Sequence, residues 1–221
     1  MDLDKLSNLK KGQDCYILAC GPSLNKYDNK ETRELLQNNL VFSIKQAYDK
    51  FKKETDFHFW NCSNLPIDYA NIPYRYIDHR PEMVVASSNY PRGQRWSLGQ
   101  KHDIFFQVPL VEEIGGKDNT LAIKRNYDDF LITESKDKRM TGPGIMLETV
   151  LYMAVHVGVK SITTIGWDLD EHGSHFYKEE EKAFMDNKGC EIPWDIIANS
   201  EAQPSIKNWL ESKGIELNVK N

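Results

Sequence analysis

A histidine stands in Ser174-His175-Phe176-Tyr177, a few residues beyond the stretch Gly166-Trp167-Asp168. Histidine is the side chain best suited to take a proton from a hydroxyl near neutral pH, which makes His175 a candidate general base. A surface histidine on a polar loop is the competing reading, and His172 close by is of that kind. Far upstream, Gly21-Pro22-Ser23 follows the apolar run Tyr16-Ile17-Leu18-Ala19. A glycine at the end of a buried strand lets the backbone approach a ligand, and Ser23 can cap a following helix. The N–H groups of such a helix start attract phosphate. An ordinary strand-to-helix turn fits the same residues.

Three further segments have the right chemistry to join such a site. Lys45, in Ser43-Ile44-Lys45-Gln46, brings one positive charge. Asn61-Cys62-Ser63-Asn64 brings neutral hydrogen-bonding groups, and Thr141-Gly142-Pro143-Gly144 brings small residues ahead of a helix. Together they would line a pocket of neutral donors with one cation, suited to a nucleotide phosphate without a metal. Asp168-Leu169-Asp170 invites a metal reading, since two carboxylates can hold magnesium or manganese with diphosphate oxygens. Acidic pairs on loops are common, however, and a structural or hydroxyl-binding role for Asp168 is preferred. The basic segment from Arg92 to His102 could meet an anion but reads better as a solvated loop, and His58 and His156 read as structural.

These residues need a scaffold that brings them together. Residues 1–13 read as a polar lead-in. Strands are expected over Asp14–Ala19, Leu40–Ile44, Asp56–Trp60, Met83–Ala86, Ile104–Val108, Lys160–Ile165 and Ile215–Val219. Tyr74–Ile77 is a further short candidate. Helices are expected over Lys30–Gln37, Gln46–Lys53, Ile145–Val157 and Ser205–Lys213, with Gly158 and Gly214 closing the last two. Residues 115–139 form a polar insertion expected to be a mobile loop. Strands alternating with helices imply an α/β fold, a mostly parallel sheet covered on both faces, in a single domain over 1–221. In such sheets ligands collect beyond the carboxyl ends of the strands, where the polar segments fall.

Composition narrows the function classes. The 221 residues are 40% hydrophobic and 28% charged, with a net charge of −5. That balance argues for a globular protein and against a partner as anionic as nucleic acid. Cys15, Cys20, Cys62 and Cys190 have no metal-ligand or disulfide-framework spacing, so reduced thiols in the cytoplasm are expected. The polar start Met1-Asp2-Leu3-Asp4 does not read as a signal peptide, and no apolar run suits a membrane span. Membrane contact would be at most peripheral, at the inner face.

The order of these motifs, from Gly21-Pro22-Ser23-Leu24 through Thr141-Gly142-Pro143-Gly144 and Gly166-Trp167-Asp168 to Ser174-His175-Phe176, resembles the bacterial lipooligosaccharide sialyltransferases. It is similar also to the related group that includes Maf-type flagellin glycosyltransferase domains. The resemblance covers roughly residues 14–219 and is most specific at its two ends. It implies a Rossmann-like, GT-A-like sheet, a CMP-sugar donor, a saccharide acceptor, and neither metal nor other cofactor. It places Gly21-Pro22-Ser23 against the donor phosphate. Asn61 matches an asparagine after the third strand, and Thr141 to Gly144 match small residues ahead of the long helix. His175 matches the base, and Tyr177 is the nearest candidate for the tyrosines that assist the leaving phosphate. Lys45 departs from the family, which has asparagine after the second strand, and this bears on the donor. The Ser-His-Phe triplet also lies closer to the Gly-x-Asp strand end than in the sialyltransferases, as it does in the related group.

The leading expectation is therefore a cytoplasmic glycosyltransferase for polysaccharide biosynthesis that moves a sugar from a nucleotide donor to a saccharide hydroxyl. In it Gly21, Pro22, Ser23, Lys45, Asn61, Ser63, Thr141, Gly142, Gly144, Gly166 and Asp168 bind substrates, with no metal. A pterin diphosphokinase-like activity is an alternative, weakened by the lack of a carboxylate in Asn61-Cys62-Ser63-Asn64. A non-catalytic nucleotide- or sugar-binding module is another. Donor sugar, acceptor and any homo-oligomer are left open.

Overall fold

The computed structural model describes residues 3–62, 76, 78–88, 102–108, 126–132, 144–169 and 194–221. Its strands are β1 (Asp14–Leu18), β2 (Leu40–Ile44), β3 (Phe57–Cys62), β4 (Met83–Ser88), β5 (Ile104–Gln107), β6 (Ser161–Ile165) and β7 (Glu216–Lys220). They form one seven-stranded sheet in the order β5-β4-β3-β2-β1-β6-β7. Every neighbouring pair is parallel. This is the α/β fold expected from the sequence.

All five residues of β2 are buried, as befits a central strand covered on both faces. Along β1, Cys15 and Ile17 face the larger core, and Leu18 faces the other side. The larger core joins Phe42, Phe57, Phe59 and Val85 to Leu147, Leu151, Ala154 and Leu210 of the two longest helical segments. Phe42 and Phe57 stack across β2 and β3 at 4.8 Å. The opposite face carries Leu18, Val41 and Ile165 under Leu24, Leu36, Ala47 and Phe51. There the helix Lys30–Gln37, capped by the Asn29 side chain accepting from the Thr32 N–H, packs with the short helix Ala47–Lys50.

The helix expected over Gln46–Lys53 is shortened to Ala47–Lys50, and four further segments differ from the sequence reading. Residues 3–13 are docked, with Leu3 and Leu6 buried. The N–H groups of Asn8, Lys10 and Gly12 donate to the carbonyls of His156, Val157 and Gly158, each at 2.9 Å. A helix end has carbonyls without intrahelical partners, and this strap supplies them. Within the polar insertion, Tyr127, Phe130 and Ile132 are buried; Tyr127 stacks on Trp209, whose indole N–H donates to Asp128. The first turns of the Ile145–Val157 segment are π-wound over Met146–Val150, and α-helix follows over Leu151–Val157. The last helix runs Trp194–Ser212 and continues through Pro204. Proline there removes one N–H donor, which the exposed carbonyl side at Ser200 tolerates. Among the described residues no helix is long and apolar enough to cross a membrane.

The amino edge of the sheet is sealed by side chains. Asp56 Oδ2 accepts the Val41 N–H and Asp103 Oδ2 the Val84 N–H, both at 2.8 Å. The Ser161 hydroxyl donates to Asp14 across β1 and β6. Burial raises the Asp56 carboxyl above its ordinary range; the Val41 N–H and Lys10 oppose this, and Glu82 adds to it. Because its folded pKa is the higher one, Asp56 stabilises most at low pH, and that contribution is lost as pH rises through the folded pKa. Asp56→Asn, which keeps an acceptor without a charge, is expected to be more stable than the parent at pH 7. The gap should close below the ordinary carboxylate range in urea titrations across pH.

Candidate functional site

The strand order reverses between β1 and β6: β2 and its successors lie on one side of β1, β6 and β7 on the other. A crevice opens at the carboxyl end of such a reversal. The paired row Ile165, Leu18, Ser43 and His58 crosses β6, β1, β2 and β3. Asp168, Gly21 and Asn61 each lie three positions past that row (165 to 168, 18 to 21, 58 to 61), and Lys45 two (43 to 45). Three interstrand spacings put these residues along a rim about 14 Å wide.

Gly144 belongs to the same rim. The helical segment after it ends at the amino edge, where Gly12 bonds Gly158 and Lys160 bonds Gln13. Running antiparallel to the strands, it must begin at the carboxyl edge. Gly144 has φ +78°, and its carbonyl accepts the N–H groups of Leu147 and Glu148. Asn61 sits on the rim by its backbone register with Ser87. Ser63, Thr141, Gly142, His175 and Tyr177 lie outside the described residues, as do Asp170, His172, most of the Arg92 to His102 segment and all of Tyr74–Ile77 except Tyr76.

At the reversal, β1 and β6 are clamped. The Gly21 N–H donates to the Gly166 carbonyl at 2.7 Å and the Ala19 N–H to the Ile165 carbonyl at 2.8 Å. The Ser23 N–H donates to Asp168 Oδ2 at 2.7 Å, and the Ser23 hydroxyl to Oδ1 at 2.5 Å. Ser23 is buried. A side chain on Gly21 would collide with the Asp168 carboxylate and lie 2.6 Å from the Gly166 oxygen. Gly166, at φ +77°, has the Ala19 carbonyl where a Cβ would sit. The glycines thus permit the approach of one strand end to the other.

This geometry changes the reading of the turn. The segment after Gly21 is a 3-10 helix over Pro22–Tyr27, with Pro22 at its first position. Its cap is Asp168, 145 residues away, and not Ser23. Gly21 and Ser23 donate to Gly166 and Asp168 just beyond β6, Pro22 has no N–H, and the Leu24 N–H bonds the Gly21 carbonyl. The donors that the sequence assigned to a phosphate are all engaged inside the fold. Both Asp168 oxygens are engaged as well. Among the described residues no three His, Cys, Asp or Glu side chains gather as a metal site.

Positive charge at the rim comes from Lys45. It follows β2 with φ +47°, and its N–H donates to the Phe59 carbonyl at 2.8 Å. Its neighbour across β1 is Cys20, whose thiol contacts the Ile44 carbonyl at 3.3 Å. Burial pushes the Cys20 thiol up to about 11 against the pull of the Lys45 charge. Beneath Lys45 lies His58, buried on β3, stacked on Tyr48 and bonded to Tyr76. The sequence marked His58 as structural, and nothing local tied it to Lys45; the link exists only because β2 and β3 pair in this register.

No protein-family model and no curated relative matches this sequence. Among solved structures it is similar to the sialyltransferase CstII from Campylobacter jejuni in complex with the substrate analogue CMP-3FNeuAc. The identity is 16%, covering 94% of this chain and 80% of that one, with a TM-score of 0.47. The sialyltransferase CST-II with a trisaccharide acceptor and CMP gives 15% identity, the same coverage and a TM-score of 0.48. The Maf glycosyltransferase from Magnetospirillum magneticum gives 12% identity over 78% of this chain and 27% of that one, with a TM-score of 0.44. Likenesses of this size assign neither activity nor ligand.

Proposed function

We propose that this chain is a single-domain glycosyltransferase that moves a sugar from a nucleotide donor, CMP-linked, to a saccharide hydroxyl. The observation that carries the reading is the rim: Gly21, Lys45, Asn61, Gly144, Gly166 and Asp168, scattered over the sequence, fall at one edge of a parallel sheet around its order reversal. The motif order that resembles the sialyltransferases supports it independently. In this reading the Gly21–Ser23 turn and Asp168 form the rigid floor. Lys45 offsets phosphate charge, and Asn61, Ser63 and the Thr141–Gly144 backbone hold the donor. His175 takes the acceptor proton as its oxygen bonds to the anomeric carbon. The bond from that carbon to the phosphate oxygen breaks, and Tyr177 assists the departing CMP. No metal takes part.

The internal engagement of the turn's donors leaves Lys45 and Asn61 to meet a phosphate, and the second reading is a nucleotide-binding module without turnover. Both readings require nucleotide binding. CMP at about 100 times its dissociation constant is expected to raise the melting temperature by roughly 5–10 °C. UDP and GDP should do less, and Lys45→Met should shrink the CMP shift. A melting temperature indifferent to all three nucleotides would exclude both readings. A CMP shift without turnover of any CMP-sugar would leave the module.

A further inference from the structure

Lys45 stands in a conformation that residues with a Cβ avoid, at φ +47°. Its peptide groups are tied down on both sides. The N–H donates to Phe59 on β3, and the carbonyl accepts from His58 Nε2 at 3.0 Å and from the Tyr48 N–H at 3.3 Å. His58 is fully buried, its ring 4.4 Å from that of Tyr48 at 19°. Its Nδ1 is 2.6 Å from Tyr76 Oη. A carbonyl can only accept, so Nε2 carries the hydrogen. In the neutral ring Nδ1 then accepts, and the Tyr76 hydroxyl donates. Tyr48 in turn donates its hydroxyl to the His79 carbonyl at 2.7 Å, so the stacking partner is anchored too.

We propose that His58 is a positioning residue: its Nε2–H holds the Lys45 carbonyl, and with it the left-handed turn that keeps the Lys45 ammonium at the rim for a nucleotide phosphate. The last step rests on the nucleotide reading above; the hold on the Lys45 backbone does not. The influence of the Lys45 charge on the Cys20 thiol is consistent with an ammonium near the β1 and β2 ends.

The hold is tested without ligand by a urea double-mutant cycle with His58→Phe and Lys45→Gly. Lys45→Gly keeps the carbonyl and removes only the strain of the left-handed turn, whereas in the parent loss of the hold lets that strain relax. His58→Phe should therefore cost more stability in the Lys45→Gly background than in the parent. Equal costs overturn the proposal. Should His58→Phe fail to fold, imidazole nitrogen shifts of the parent decide: the Nε2–H tautomer supports the hold, and the Nδ1–H tautomer overturns it. The rim role is read by calorimetry with CMP and cytidine. His58→Phe and Lys45→Met should each weaken CMP about tenfold, the value of one charge-assisted contact, and leave cytidine nearly unchanged. His58→Gln, which retains an N–H for the carbonyl, should restore CMP binding. Equal losses for CMP and cytidine would overturn positioning. If the parent binds neither, the nucleotide reading fails by itself, while the cycle still decides the hold.

Discussion

Replacing Gly21 with alanine is expected to destabilise the chain by about 3 kcal/mol, the upper part of the range for overpacking a tight interior. For a chain of this length that lowers the melting temperature by roughly 6–12 °C. The cause is steric. Gly21 has φ −70°, which alanine adopts freely, so backbone strain contributes nothing. The new methyl would lie 2.6 Å from the Gly166 oxygen and against the Asp168 carboxylate. Asp168 can rotate away only by abandoning the Ser23 N–H and hydroxyl, both part of the clamp. The Gly166 oxygen cannot move without shifting the end of β6. Removing the carboxylate should therefore give no rescue: Gly21→Ala with Asp168→Ala is expected to be no more stable than Gly21→Ala. Thermal and urea unfolding check both statements. A loss under about 0.5 kcal/mol, the scale of an ordinary surface substitution, would refute the clamp.

Replacing His175 with alanine is expected to lower sugar transfer by a factor of about 10²–10⁴, the usual contribution of a positioned general base. The CMP-induced thermal shift should be unchanged, because a base acts on the acceptor hydroxyl and not on the nucleotide. That split separates lost chemistry from a damaged donor site. Seven residue-to-residue steps link Asp168 on the rim to His175 (168 to 175). Extended, they reach about 24 Å, more than the width of the rim, so the covalent connection allows the assignment. Turnover of a CMP-sugar at the parental rate by His175→Ala would remove this residue from the mechanism. A pH–rate profile adds a second check. The parent should lose activity as an essential imidazole protonates, and the residual activity of the variant should lack that limb.

Both predictions concern residues that the sequence singled out, but it explained them unequally. The choice of His175 rests on the type of residue and its triplet, which a linear reading can see. The importance of Gly21 was also visible, but the cause assigned to it was a ligand. In the structure what approaches Gly21 is the Gly166 carbonyl and the Asp168 carboxylate. Ser23 was read as the cap of its own helix, yet the cap comes from Asp168. Lys45 was noticed for its charge and its departure from a family pattern. Its left-handed backbone had no local signal, since lysine has no preference for that region.

Periodicity and turn chemistry act over a few residues, so the amino-acid order by itself determined the elements and their sequence. Leu40–Ile44 and Lys30–Gln37 lie where burial pattern and capping put them, and Gly158 closes its helix in the left-handed conformation. Alternating strands and helices were enough to imply a parallel sheet with polar residues beyond its carboxyl ends. What only the tertiary structure decided were partnerships across long separations: Ser23 with Asp168, His58 with Lys45, and the amino-terminal strap with the end of the Leu151–Val157 helix. The same applies to Tyr127 and Asp128, which dock on Trp209 from inside a polar insertion. These contacts depend on which strands become neighbours and in what register. Register is chosen by burial of the whole sheet, so no local window of sequence contains it.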